Sequence, residues 1–125
     1  MYKVKSRPWS EIAEFYRSMV AKHEHAWLTP MLSLVEQIQH ADYAGKVFGC
    51  TSHARLRISY LPEFDPDKEV LNVDLNHETG AFEFEYQETA SPLYKRWRRK
   101  CSAKEAFPVF NRFLQRKKWF PMRKS

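Results

Sequence analysis

The chain has 125 residues, 43% of them hydrophobic, with a formal net charge of +6. That length predicts one domain able to bury about two-thirds of the surface of its unfolded chain. Two cysteines, no apolar run near the roughly 20 residues of a membrane span and no leader-like start argue for a cytoplasmic protein with reduced thiols, no disulfide framework and no membrane partner.

Tyr2-Lys3-Val4-Lys5 alternates and predicts a short edge strand. Pro8 to Ser10 then open a helix, with Ser10 as N-cap and Glu11 in the first turn, where the helix dipole favours a carboxylate. Ile12, Phe15, Tyr16, Met19, Val20, His23 and Trp27 recur at helical spacing and form its apolar face. Thr29-Pro30 restarts the chain as a second helix, because proline suits a first helical turn. Met31, Leu34, Val35, Ile38 and Ala41 make its stripe, and Gly45 ends it.

From Phe48 to Tyr60 the even positions include Phe48, Cys50, Ala54, Leu56, Ile58 and Tyr60, and the odd ones include His53, Arg55 and Arg57. Unbroken parity predicts one long strand or two collinear pieces. Residues 62–69 read as an acidic, proline-broken loop. The clearest strand signal follows at 70–86: Leu71, Val73 and Leu75 share one face, as do Phe82, Phe84 and Tyr86, and Gly80 can supply the positive φ of the intervening turn. In a three-stranded meander, Arg55 and Arg57 would lie beside Asn72 and Asp74, and those beside Glu83 and Glu85, pairing opposite charges. Beyond Tyr86 comes the basic run Tyr94-Lys95-Arg96-Trp97-Arg98-Arg99-Lys100. Ser102-Ala103-Lys104-Glu105 has the spacing of a capping box, and Pro108 should delay or kink the helix that follows. Ala106, Phe107, Phe110, Phe113 and Leu114 form that helix's stripe, with Arg112, Arg116, Lys117 and Lys118 largely off it.

These elements predict an α+β fold: an antiparallel three- to four-stranded sheet around the hairpin 70–86, with two N-terminal helices and one C-terminal helix packed on one face. Phe48, Leu56, Ile58, Leu71, Val73, Leu75, Phe82, Phe84 and Tyr86 should meet Ile12, Phe15, Met19, Leu34, Ile38, Phe110, Phe113 and Leu114 in the core.

Charge is distributed unevenly along the chain. Residues 1–93 hold 9 Lys and Arg against 14 Asp and Glu, whereas residues 94–125 hold 12 against one. Tyr94, Lys95, Arg96, Trp97, Arg98, Arg99 and Lys100, extended by Arg112, Arg116, Lys117 and Lys118, combine cations for phosphates with aromatic faces for unpaired bases. The bland reading of the same residues is a solvated face that offsets an acidic body. His53, Arg55 and Arg57 form a secondary candidate, an anion site or acid–base cluster, unless acidic neighbours pair with the arginines. The five histidines include no pair at ligand spacing on one helix face, and Cys50 with His53 is too few ligands, so no metal site is expected. Nucleophile elbows and phosphate-cradling glycine loops are absent from the sequence, which names no catalytic residue and no cofactor.

The order of a short strand, two helices, a three-stranded antiparallel sheet and a C-terminal helix resembles that of the small ribonuclease toxins of the RelE type over residues 2–87. The resemblance implies cleavage of messenger RNA with basic residues and a tyrosine, and it transfers no individual residue. The leading expectation is a non-enzymatic binding module whose basic C-terminal region, 94–125, engages RNA or DNA. An antitoxin or immunity protein that meets an acidic or toxin-like partner is the alternative, and a ribonuclease using His53, Arg55 and Arg57 follows.

Overall fold

The computed structural model describes residues 3–65, 70–88 and 95–117. Its elements in chain order are β1 (Val4–Lys5), α1 (Trp9–Val20), a 3-10 segment (His23–Leu28), α2 (Thr29–Gln39), β2 (Phe48–Ser52), β3 (Arg55–Ser59), β4 (Glu63–Phe64), β5 (Leu71–Leu75), β6 (Phe82–Glu88), β7 (Lys95–Cys101), a 3-10 turn (Ala103–Glu105) and α3 (Ala106–Lys117). The class is α+β, as the patterning predicts. The main sheet has five antiparallel strands in the order β2-β3-β5-β6-β7, rather than three or four, and β1 pairs with β4 in a separate two-stranded ribbon.

Two strands explain the larger sheet. The first arises because 48–60 is a hairpin, not one long strand. Ser52 pairs with Arg55, so His53 and Ala54 make a two-residue turn, and His53 adopts a φ of 56°. Such a tight turn needs positive φ, which a non-glycine residue adopts at a modest steric penalty. A two-residue turn also reverses the parity of the arm before it. Gly49 and Thr51 lie opposite Ile58 and Leu56 on the core face, whereas Phe48, Cys50 and Ser52 share the other face with Ser59, Arg57 and Arg55. Phe48 is accordingly half-buried on the outer face instead of in the main core. The second added strand is β7, formed by the basic run and paired with β6 from Phe82↔Cys101 to Glu88↔Lys95.

One contiguous core lies on the face bearing Leu56, Ile58, Leu71, Val73, Leu75, Phe82, Phe84 and Tyr86. Each helix contributes the stripe that its spacing dictates. In α1 the buried residues are Trp9, Ile12, Ala13 and Tyr16. The helix starts at Trp9 after Pro8, so Ser10 lies within the first turn and is not the cap. The buried stripe through 9, 12, 13 and 16 leaves Phe15 at its edge with 37% exposure, against the expected core position, and Met19 only partly buried. Trp9 anchors α1 on β2: its indole N–H donates to the Val47 carbonyl at 3.0 Å, and its ring lies where a Gly49 side chain would be. In α2 Met31, Leu34, Val35 and Ile38 are buried, as predicted, with Pro30 in the first turn.

The β5–β6 connection is closed by Asn76, whose side-chain oxygen accepts from the Glu78 and Thr79 amides at 2.9 and 3.0 Å, and by Gly80 at φ 73°. The Ser102–Glu105 capping box is present. Pro108 has no N–H to return to the turn before it, and the chain there is 3-10, with α3 beginning at Ala106. A small second cluster of Cys50, Phe64 and Val70, joined by Val4, lies apart from the main core and ties the β1–β4 ribbon to β2. Residues 66–69, half of the acidic loop, lie outside the described residues, and Glu63–Phe64 is strand rather than loop. Among the described residues no helix is long and apolar enough to cross a membrane.

Candidate nucleic-acid interface

Strand alternation divides the basic run into two surfaces. β7 is the last strand of the sheet, and its register puts Trp97, Arg99 and Cys101 on the same face as Tyr86, Phe84 and Phe82, the face that α3 covers. Arg98 and Lys100 stand opposite Glu85 and Glu83 on the reverse face. What reads in sequence as one patch is therefore two, separated by the thickness of the sheet.

The α3 side forms a groove of about 520 Å³, lined by Trp97 and Arg99 of β7 and by Val109, Arg112, Phe113, Gln115 and Arg116 of α3. Helical spacing produces the second wall, because 109, 112, 113 and 116 follow the i, i+3, i+4, i+7 rule of a single stripe. Phe113 is buried and holds the floor, with its ring 5.2 Å from Tyr86 and 5.1 Å from Trp97. Trp97 is half-buried, whereas Arg99, Arg112 and Arg116 are exposed. No carboxylate lines the groove among the described residues, and none of them forms an ion pair with Arg99, Arg112 or Arg116. The fields of Arg99 and Arg112 converge on Cys101, where they oppose the upward pull of burial and of Glu105 on its thiol pKa. Arg116 and Lys117 also sit in the last turn of α3, where cations complement the helix dipole. Lys117 is directed elsewhere, with its ammonium 5.0 Å from the centre of the Tyr86 ring.

On the reverse face the charges neutralise one another. Arg98 donates through Nε to Glu85 at 2.8 Å, and Arg55 likewise to Asp74 at 2.9 Å. Both pairs are partly solvated, so each contributes on the order of 0–1 kcal/mol and mainly cancels charge. The Arg55–Asp74 pair is the cross-strand pairing expected from the meander, whereas the Arg98–Glu85 pair comes with the unexpected strand β7.

Of the other sequence candidates, Lys95 and Arg96 open β7 opposite Glu88 and Gln87. Tyr94 and Lys118 lie outside the described residues. His53, Arg55 and Arg57 do meet, though not along one strand face: His53 occupies the β2–β3 turn, and the three line a second groove of about 450 Å³ with Trp27, Ser52, Ala54, Asp74 and Leu75. Trp27, expected on the apolar face of the first helix, belongs to the 3-10 segment and packs its ring 4.7 Å from that of His77. Its place beside the hairpin turn could not be read from helical periodicity. Gln115 was likewise missed, since only the position of β7 makes that side of α3 a groove wall.

Both cysteines are free and buried, and burial pushes both thiol pKa values up. Among the described residues no three His, Cys, Asp or Glu side chains converge to hold a metal ion. Comparison of the chain with protein-family models, with curated proteins and with solved structures gave no match in any of the three.

Proposed function

We propose that the protein is a binding module for single-stranded nucleic acid, RNA or DNA, which it engages in the groove between β7 and α3. The observation that carries this reading is the convergence of Trp97, Arg99, Arg112 and Arg116 on one open groove with no carboxylate among its described lining residues. Guanidinium groups without ion-pair partners match phosphate oxygens in charge and geometry. An indole at the edge of the groove gives an unpaired base a surface on which to stack, a contact worth about 1–3 kcal/mol per base. A duplex hides its base faces and could use only the cations.

Fluorescence anisotropy of a labelled single-stranded RNA, the matching DNA and a duplex, titrated at several salt concentrations, tests the reading. The expected result is single-strand binding that weakens with salt and is lost when Arg99, Arg112 and Arg116 are all replaced by Gln. Equal affinity for duplex and single strand, or unchanged binding by the triple variant, would refute it.

A further inference from the structure

The two ends of the main sheet are finished differently. At the β2 end the N-terminal segment returns to the edge, where Arg7 bridges Gly49 and donates its amide to the Gly49 carbonyl at 2.8 Å. At the other end β7 is the last strand, and among the described residues no strand pairs with its outer edge. The ladder determines which groups that edge presents. Asn76 donates its amide to the Ala81 carbonyl at 2.9 Å, and antiparallel bonding alternates from there along β6, so Glu83 and Glu85 bond to β5 while Phe82, Phe84 and Tyr86 bond to β7. In β7 it follows that the amides and carbonyls of Arg98 and Lys100 point outward.

We infer that this edge takes an acidic extended peptide as an added strand. Open backbone donors and acceptors are a template for any strand, and the side chains beside them select which one. A second copy of β7 would set arginine and lysine against arginine and lysine, which opposes self-pairing. A strand with carboxylates at alternate positions fits instead, and β6, which alternates Phe82-Glu83-Phe84-Glu85, pairs in that manner on the inner side. Its Glu85 takes the Nε–H of Arg98, whose side chain is 66% exposed and has terminal amino groups to offer a second carboxylate. Lys100 is exposed and forms no ion pair among the described residues. The outward backbone groups and these cations belong to the same residues, so a glutamate opposite each would make both kinds of bond. The site does not rest on the nucleic-acid reading, since Arg98 and Lys100 face away from the groove that Trp97 and Arg99 line.

The test is fluorescence anisotropy of a labelled peptide, about a strand length long and alternating Glu with Thr, titrated with the full chain. Saturable binding is expected, and the same peptide with Lys in place of Glu should not bind. Methylating the backbone nitrogens of the glutamates keeps the charge, removes the donors that face β7 and should abolish binding. Replacing Arg98 and Lys100 together by Gln should weaken binding about fivefold or more, as the loss of two exposed ion pairs implies. The Arg99, Arg112 and Arg116 triple variant should lose less affinity for the peptide than that double variant does. No binding of the acidic peptide, equal binding of its N-methylated form, unchanged affinity in the Arg98 and Lys100 variant, or a greater loss in the triple variant would each overturn the assignment.

Discussion

Neutralising alternate residues of β7 separates a groove from a mere excess of charge. Arg99 faces α3, whereas Arg98 and Lys100 face Glu85 and Glu83, although all three are consecutive in the chain. If a single strand lies in the groove and contacts its three arginines, log affinity should fall against log salt with a slope of about −2, at roughly 0.7 per phosphate. Between about 50 and 200 mM salt that slope weakens binding about 20-fold. Arg112→Gln leaves two cations, a slope near −1.4, and only about a sevenfold loss over the same range. Trp97→Leu should lower affinity through lost stacking, by about 1–3 kcal/mol, and leave the slope as it was. Replacing Arg98 and Lys100 together by Gln should leave affinity and slope nearly unchanged. Anisotropy with a labelled single-stranded probe measures each case. The reasoning fails if the Arg98/Lys100 variant lowers the slope as much as a variant with two groove arginines replaced, because binding would then follow total charge and not the geometry of the groove.

Gly49→Ala should destabilise the fold by about 1–3 kcal/mol, since its methyl would lie 2.9 Å from the Trp9 ring and 3.3 Å from both the Arg57 carbonyl and Ile12; a normal urea midpoint would refute the packing of α1 on β2. Tyr16 is buried and Tyr43 half-buried, and desolvation raises both phenol pKa values above 10.0, so the unfolded chain ionises first. Stability should be full below that unfolded value and fall with rising pH above it, by up to about 1.4 kcal/mol per pH unit per tyrosine. In Tyr16→Phe, which also leaves the Ala54 carbonyl without its 2.9 Å donor, the alkaline fall should be shallower, and urea titrations across this range measure it. The raised pKa and burial of Cys50 and Cys101 predict slow modification by a thiol reagent at neutral pH, and a fast phase from either cysteine in native protein would contradict that. Ser102→Ala removes the capping box ahead of α3 and should cost about 1 kcal/mol in thermal or urea unfolding.

The parts of the fold legible in the sequence are those whose information is local. The alternation of Leu71, Val73 and Leu75 with polar residues, the stripe of α2, the glycine at positive φ and the capping box each depend on contacts within a few positions of themselves. The Arg55–Asp74 pair was legible as well, since a meander sets the polar faces of neighbouring strands side by side. The hairpin at 53–54 was hidden because its signal is a conformation of His53, not a residue type reserved for turns. A run whose parity never breaks gives no sign that the chain has reversed, yet that reversal moves Phe48 and Cys50 to the opposite face from the one their periodicity suggests.

The candidate site shows the same division. Composition alone marked residues 95–100 as a concentration of cations around Trp97, and helical spacing put Arg112 and Arg116 together on one side of α3. Which of the cations share a face was decided only when the run became the edge strand β7. A strand sends successive side chains to opposite faces, so pairing with β6 directed Arg98 to a carboxylate and Arg99 to a groove. The pairing of Arg57 with Asn72, and not with an acid, is likewise a matter of register. Local sequence thus determined the kinds of element and the sign of the charge in each region. The tertiary structure decided which charges are cancelled and which remain available, because that depends on residues far apart in the chain being brought within a few ångströms.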